Sequence, residues 1–164
     1  MKATTKKVPS LTEDLVITRE FNVPRESLWE AWTNPKVFMK WWGPKDFTCP
    51  HCEIDLRPGG EYHNAMRSRE GMNYWTTGVY KEVVPFEKIV FTDSFADDLG
   101  HVVPASYYGM SETFPLALLI TVSFEEIDGR TKMTLRHSGL PPGEVQDMSW
   151  TGWNESFDKL AEIL

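Results

Sequence analysis

The amino-acid sequence predicts an α+β domain in which a seven-stranded, curved antiparallel sheet wraps around a long C-terminal helix, with two short helices after the first strand. Three observations carry this expectation. Strand-like segments succeed one another through short turns rich in Gly, Pro, Asp and Glu; helical spacing is confined to a short stretch after the first strand; and an apolar stripe at steps of three and four closes the chain. Tight connections force antiparallel neighbours, and such a sheet needs one face covered.

The elements follow in order. Leu15, Ile17 and Phe21 alternate with Val16, Thr18 and Glu20, a strand pattern over Asp14–Asn22. Pro24 stands at a first helical position, with Leu28, Trp29, Ala31 and Trp32 at helical spacing, and Asn34-Pro35 stops that helix. A second short helix runs from about Pro35 to Trp41 and ends at Gly43-Pro44. Six strands are then expected: Phe47–Arg57, Glu61–Ser68, Tyr74–Val84, Lys88–Phe95, Leu116–Glu126 and Thr131–Ser138. Their turns are Pro58-Gly59-Gly60, Arg69-Glu70-Gly71, Pro85-Phe86-Glu87 and Asp128-Gly129, while Ala96–Pro115 is a long link without a period. After Pro141-Pro142-Gly143, the residues Val145, Met148, Trp153, Phe157, Leu160, Ala161 and Leu164 share one helical face. A bulky helix held off a bent sheet by aromatic side chains leaves a cavity between them.

A chain of 164 residues fits one domain, expected over 13–164, behind a polar, flexible N-terminal tail at 1–12. Hydrophobic residues at 41% and charged ones at 25% exclude fibrous and disordered classes. A net charge of −7 with no basic patch excludes a general nucleic-acid backbone binder. The longest apolar run, Leu116–Val122, is too short for a membrane span, and no apolar run follows the N-terminal lysines as a secretory signal requires. With two cysteines only, a reduced cytoplasmic protein is the expected setting.

Several stretches resemble the SRPBCC superfamily (START-like, birch-pollen-allergen-like, helix-grip), and within it the family named for the activator of the heat-shock-protein-90 ATPase, in its bacterial single-domain form. They are Ile17–Thr33, Trp41-Trp-Gly-Pro, Asp55-Leu-Arg-Pro-Gly-Gly, Gly78-Val-Tyr-Lys-Glu-Val-Val-Pro, Val90-Phe-Thr-Asp and Gly152-Trp153 followed by Leu160. The resemblance spans about 14–164 and implies the helix-grip fold. Its members include ligand carriers, cyclases, hydrolases, resistance proteins and co-chaperones, so it implies no single activity.

The aromatic set is the strongest functional cue, with seven Trp, nine Phe and five Tyr. Trp41, Trp42, Tyr62, Trp75, Tyr80, Phe91, Trp150, Trp153 and Phe157 are candidate cavity residues, either lining a ligand site or simply filling the space. His137 alternates with Met133 and Leu135, so it faces the same interior, as a candidate acid or base or as a satisfied core histidine. Tyr107, Tyr108 and Met110 on the long link belong to a lid, a permanent seal or a homodimer contact. Cys49-Pro-His-Cys52 has the spacing of a zinc or redox half-site, but no second cysteine pair exists and His63, His101 and His137 are scattered, so no metal or other cofactor is expected. Asp55 and Arg57 read as a structural charge pair or as groups reaching a ligand, and Arg19, on the inward face, requires an acidic partner, a cavity wall or an edge position reaching water. The first functional reading is a non-enzymatic binder of a small hydrophobic or aromatic molecule. Alternatives are a chaperone ATPase-regulating module and a cyclase- or hydrolase-type enzyme using His137.

Overall fold

The computed structural model describes residues 14–164, so the tail expected at 1–12 lies outside the described residues. The strands are β1 (Leu15–Phe21), β2 (Thr48–Ile54), β3 (Glu61–Arg67), β4 (Asn73–Val84), β5 (Lys88–Ala96), β6 (Leu118–Ile127) and β7 (Arg130–Ser138). The helices are α1 (Arg25–Thr33), α2 (Pro35–Trp41) and α3 (Glu144–Ile163). The sheet is antiparallel throughout, in the order β1-β7-β6-β5-β4-β3-β2. Hairpins place β2 to β7 in sequence, and β1 closes on β7 with Leu15 opposite His137 and Phe21 opposite Thr131. This is the α+β helix-grip arrangement expected. Among the described residues, no helix is long and apolar enough to cross a membrane.

Local chemistry explains the short elements. Pro24 sits one position earlier than expected, as the extended N-cap of α1 rather than its first helical residue. Asn34 ends α1 and starts α2, its Oδ1 accepting from the Lys36 N–H while Pro35 takes the first turn. In the β2–β3 turn Gly59 has φ +85°, whereas Gly60 is needed for space, since a Cβ there would lie 2.0 Å from the Asp55 carbonyl oxygen.

Strands β4 and β5 approach closely at Gly78. The β4–β5 register shifts beyond Tyr80, the Val79 N–H is taken by Thr92 Oγ1 at 2.9 Å, and a Cβ on Gly78 would lie 1.8 Å from the Thr92 carbonyl oxygen. That close approach lets the Tyr62 hydroxyl span to β5, as described below.

The core lies between the sheet and the two short helices. Trp32 is its hub, with ring centroids 4.9 Å from Trp41, 6.0 Å from Trp42, 6.4 Å from Phe91 and 6.4 Å from Phe157. Two of the core's indole N–H groups have partners: Trp41 donates to the Ala31 carbonyl and Trp32 to the Met133 sulfur. Helix α3 buries Ser156, Phe157 and Leu160. The expected stripe is narrower than its spacing suggested, because Met148, Ala161 and Leu164 are exposed. Polar ties hold the C-terminal half of α3 down, among them two made by the Arg19 and Lys159 side chains. Arg19 meets Asp158 at 2.9 Å, giving the guanidinium its acidic partner, and Lys159 Nζ donates to the carbonyls of Pro44 and Phe47.

Candidate functional site

Along its N-terminal half, α3 carries small residues toward the sheet, among them Ser149 and Gly152, and it stands off from the strands. The space left is a cavity of about 400 Å³. Trp42, Gly43 and Pro44 form one end of it; Met66, Thr76, Asp93, Phe95, Leu118 and His137 form the sheet wall; Val145, Met148, Gly152 and Trp153 form the helix wall. Met110, Ser111, Phe114 and Pro115, from the link between β5 and β6, border the remaining side, which is partly open. That link is braced by the bond from Val103 N–H to the Phe95 carbonyl and by a single 3₁₀ turn over Ala105–Tyr108. Phe114 packs on Phe95 at 5.9 Å.

The walls are mainly apolar, with a few polar groups at defined places. On β7, His137 Nδ1 accepts from Trp153 Nε1 at 3.0 Å. An accepting Nδ1 leaves the proton of the neutral ring on Nε2, and that N–H is buried with no hydrogen-bond partner among the described residues. Burial pushes the His137 pKa down to about 4, partly offset by Asp14, so the ring is neutral at pH 7. Trp42 Nε1 is a second buried donor without a partner among the described residues. On β5, Asp93 accepts from the Tyr62 hydroxyl at 2.7 Å. Asp93 keeps some accessible surface because it borders the cavity, yet it is deep enough that burial pushes its pKa up to about 6, against the lowering effect of the Tyr62 bond. Tyr62 itself, fully enclosed beside that carboxyl, is pushed well above the ordinary phenol range. The arrangement offers a mainly apolar volume, buried N–H donors in its walls and one carboxyl poised near neutrality.

Of the residues the sequence nominated, Trp42, Met110, His137 and Trp153 line this cavity. Trp41, Tyr62, Tyr80, Phe91 and Phe157 lie beneath it in close packing, where only about 10 Å³ remains between Trp32, Trp42, Tyr62, Tyr80 and Phe91. Trp75 is on the outer face, stacked on His63 at 4.6 Å. Tyr107 and Trp150 are exposed. Tyr108 is a brace, its hydroxyl donating to the Ala96 carbonyl and accepting from the Trp75 N–H. Asp93 was missed as a site residue, although a signal existed: it alternates with Phe91 and Phe95 and so stands in an apolar-face position.

Other candidates fall outside. Asp55 and Arg57 pair with each other at 3.0 Å on the surface. Cys49 and Cys52 are free thiols; burial pushes Cys49 up to about 11 and Cys52 further, which removes thiolate chemistry at neutral pH. A larger depression of about 640 Å³ borders Arg25, Glu26, Glu87, Lys88, Glu125 and Glu126, where a charged, open rim gives no enclosed apolar volume.

Solved structures of the same fold include a protein of Nitrosomonas europaea, with TM-score 0.76 at 25% identity over 96% of each chain. The AHSA1 protein of Silicibacter pomeroyi matches with TM-score 0.72 at 26% identity, over 92% of this chain and 96% of that one. A Chromobacterium violaceum protein matches with TM-score 0.76 at 24% identity, over 92% and 95%. No curated protein matches the chain. The family model described as activator of Hsp90 ATPase homolog 1-like protein matches residues 22–164, and with the helix-grip fold around its cavity the chain belongs to that family.

Proposed function

We propose that this protein binds a small, largely hydrophobic molecule in the cavity under the N-terminal half of α3, as a carrier, sensor or sequestering protein of the cytoplasm. The observation that carries the reading is an apolar hollow of about 400 Å³ bordered by two residues, Trp42 and His137, whose buried N–H groups have no partner among the described residues. Unpaired buried donors cost free energy that a bound acceptor recovers, and the volume falls within the range of small-molecule sites. The ligand on this reading has an apolar body and one acceptor oxygen set toward the wall that His137 and Trp42 form.

Native mass spectrometry and tryptophan quenching test this against a panel of fatty acids, aromatic ketones and matched hydrocarbons. The expected result is stoichiometric binding, quenching through Trp42 and Trp153, and preference for oxygen-bearing members that is lost in His137→Phe. A panel that leaves the protein unliganded at high micromolar concentration overturns the reading.

The family description favours a second reading, a chaperone ATPase-regulating module. It requires the purified chain to change the turnover of a bacterial heat-shock-protein-90 ATPase; unchanged turnover removes it.

A further inference from the structure

The sequence spaces its histidines apart, but the β2–β3 hairpin brings two of them together on the outer face of the sheet, away from the cavity. Glu53 on β2 stands directly opposite His63 on β3, and His51 lies two positions from Glu53 on the same face. The ligand atoms of His51, Glu53 and His63 all lie within 4.8 Å of one another. His51 Nε2 is already 3.1 Å from the Glu53 carboxylate. We infer that these three side chains form a binding site for a divalent transition-metal ion of the zinc class, held by two imidazoles and one carboxylate with water completing the shell.

The surroundings fit such a site. His63 Nε2 lies 3.1 Å from the Asp97 carbonyl oxygen. A carbonyl only accepts, so this nitrogen carries the proton and Nδ1 keeps a free lone pair. Metal-binding histidines are commonly oriented in this way, through the ring nitrogen that does not ligate. The Asp97 carbonyl is itself fixed, since the Asp97 side chain accepts from the N–H groups of Leu99 and His101 and from the His101 ring. Trp75 stacks on His63 at 4.6 Å and meets His51 at 5.2 Å, restraining both rings. A tetrahedral zinc with bonds of about 2.0–2.2 Å holds its ligand atoms roughly 3.3–3.6 Å apart, so modest side-chain rotation closes the site. His51 and Glu53 are 38% and 69% exposed, which gives the ion a route in. The cysteines of Cys-Pro-His-Cys take no part. The thiol of Cys52 lies between His51 and Glu53 in sequence and packs against the core on the opposite face. The motif is thus divided by the strand, thiols inward and imidazole outward.

Because β2 is an edge strand, the ion would staple it to β3. Tag-free protein is dialysed against Zn²⁺ and, as a spectroscopic probe, Co²⁺. One equivalent is expected to bind, with a visible Co²⁺ spectrum lacking sulfur-to-metal charge transfer. Zn²⁺ at about a hundred times its dissociation constant should raise Tm by roughly 5–10 °C. His63→Ala and, separately, His51→Gln each weaken binding at least tenfold, while Cys52→Ala leaves it unchanged. Circular dichroism of the metal-free variants verifies that these surface changes leave the fold intact. No stoichiometric uptake, uptake retained in both histidine variants, or a sulfur-to-cobalt band would each overturn the assignment.

Discussion

Two groups on the cavity wall should bend the stability–pH curve in opposite directions, and removing either exposes the other. His137 is neutral in the fold with a pKa lowered to about 4 from an ordinary 6.5, so as pH falls below 6.5 the unfolded chain takes up a proton that the native ring refuses. Its contribution is fully present above pH 6.5 and is lost on acidification. At about 1.36 kcal/mol per pH unit that loss reaches about 3 kcal/mol by pH 4. Asp93 runs the other way. Its folded pKa is raised to about 6 from an ordinary 3.8, so between these values the native state binds the proton more readily and gains stability as pH falls, again by about 3 kcal/mol. In the wild type the two nearly cancel between pH 6.5 and 4. Asp93→Asn keeps an acceptor for the Tyr62 hydroxyl but removes the titration, so relative to wild type it should lose about 3 kcal/mol between pH 7 and pH 4. His137→Phe should gain about 3 kcal/mol over the same range, on top of a pH-independent offset from the unpaired Trp153 N–H. Urea unfolding followed by tryptophan fluorescence at pH 7, 6, 5 and 4 measures each difference. If Asp93→Asn runs parallel to wild type across that range, the placement of a desolvated carboxyl on the cavity wall is wrong.

Further outcomes concern the packing around the site. Trp41, fully buried against Trp32 and Phe38, should cost about 3–5 kcal/mol as Ala in chemical unfolding. Arg19→Ala should cost no more than about 1 kcal/mol by the same assay, because its partner Asp158 is 67% exposed. Gly152→Leu grows a side chain at the cavity wall and should lower ligand affinity at least tenfold in calorimetry while Tm changes little. Cys49 should react with a disulfide reagent at pH 8 far more slowly in native than in unfolded protein, since its raised pKa leaves little thiolate.

The strands, the turns and all three helices were legible because each rests on a local rule: alternation, a Pro or Gly break, or a stripe at helical spacing. The close approach at Gly78 was not, since nothing in Thr77-Gly78-Val79 tells a strand glycine that merely lacks a side chain from one pressed against the carbonyl of Thr92. The site was half legible for a related reason. Periodicity says which face a residue takes but not how far away the opposing element stands. Trp41, Tyr62, Tyr80, Phe91 and Phe157 point inward just as Trp42, His137 and Trp153 do, yet the first set is in solid core and the second borders open volume.

What separates them is the height of α3 above the sheet, and that is fixed by long-range ties. Arg19 to Asp158, Lys159 to the Pro44 and Phe47 carbonyls, and the burial of Phe157 and Leu160 all act on the C-terminal half of the helix. Its N-terminal half begins at Gly143 without a side-chain cap, and it offers Ser149 and Gly152 where larger residues would have filled the gap. A helix packed closely at its C-terminal half and spaced by small residues at its N-terminal half, where only Val145 and Trp153 reach the buried cluster of Leu15, Leu118 and Leu140, leaves its void at that second half. The hollow therefore opens beside Trp153 and the Met110–Pro115 segment, away from the aromatic cluster that the composition made most conspicuous.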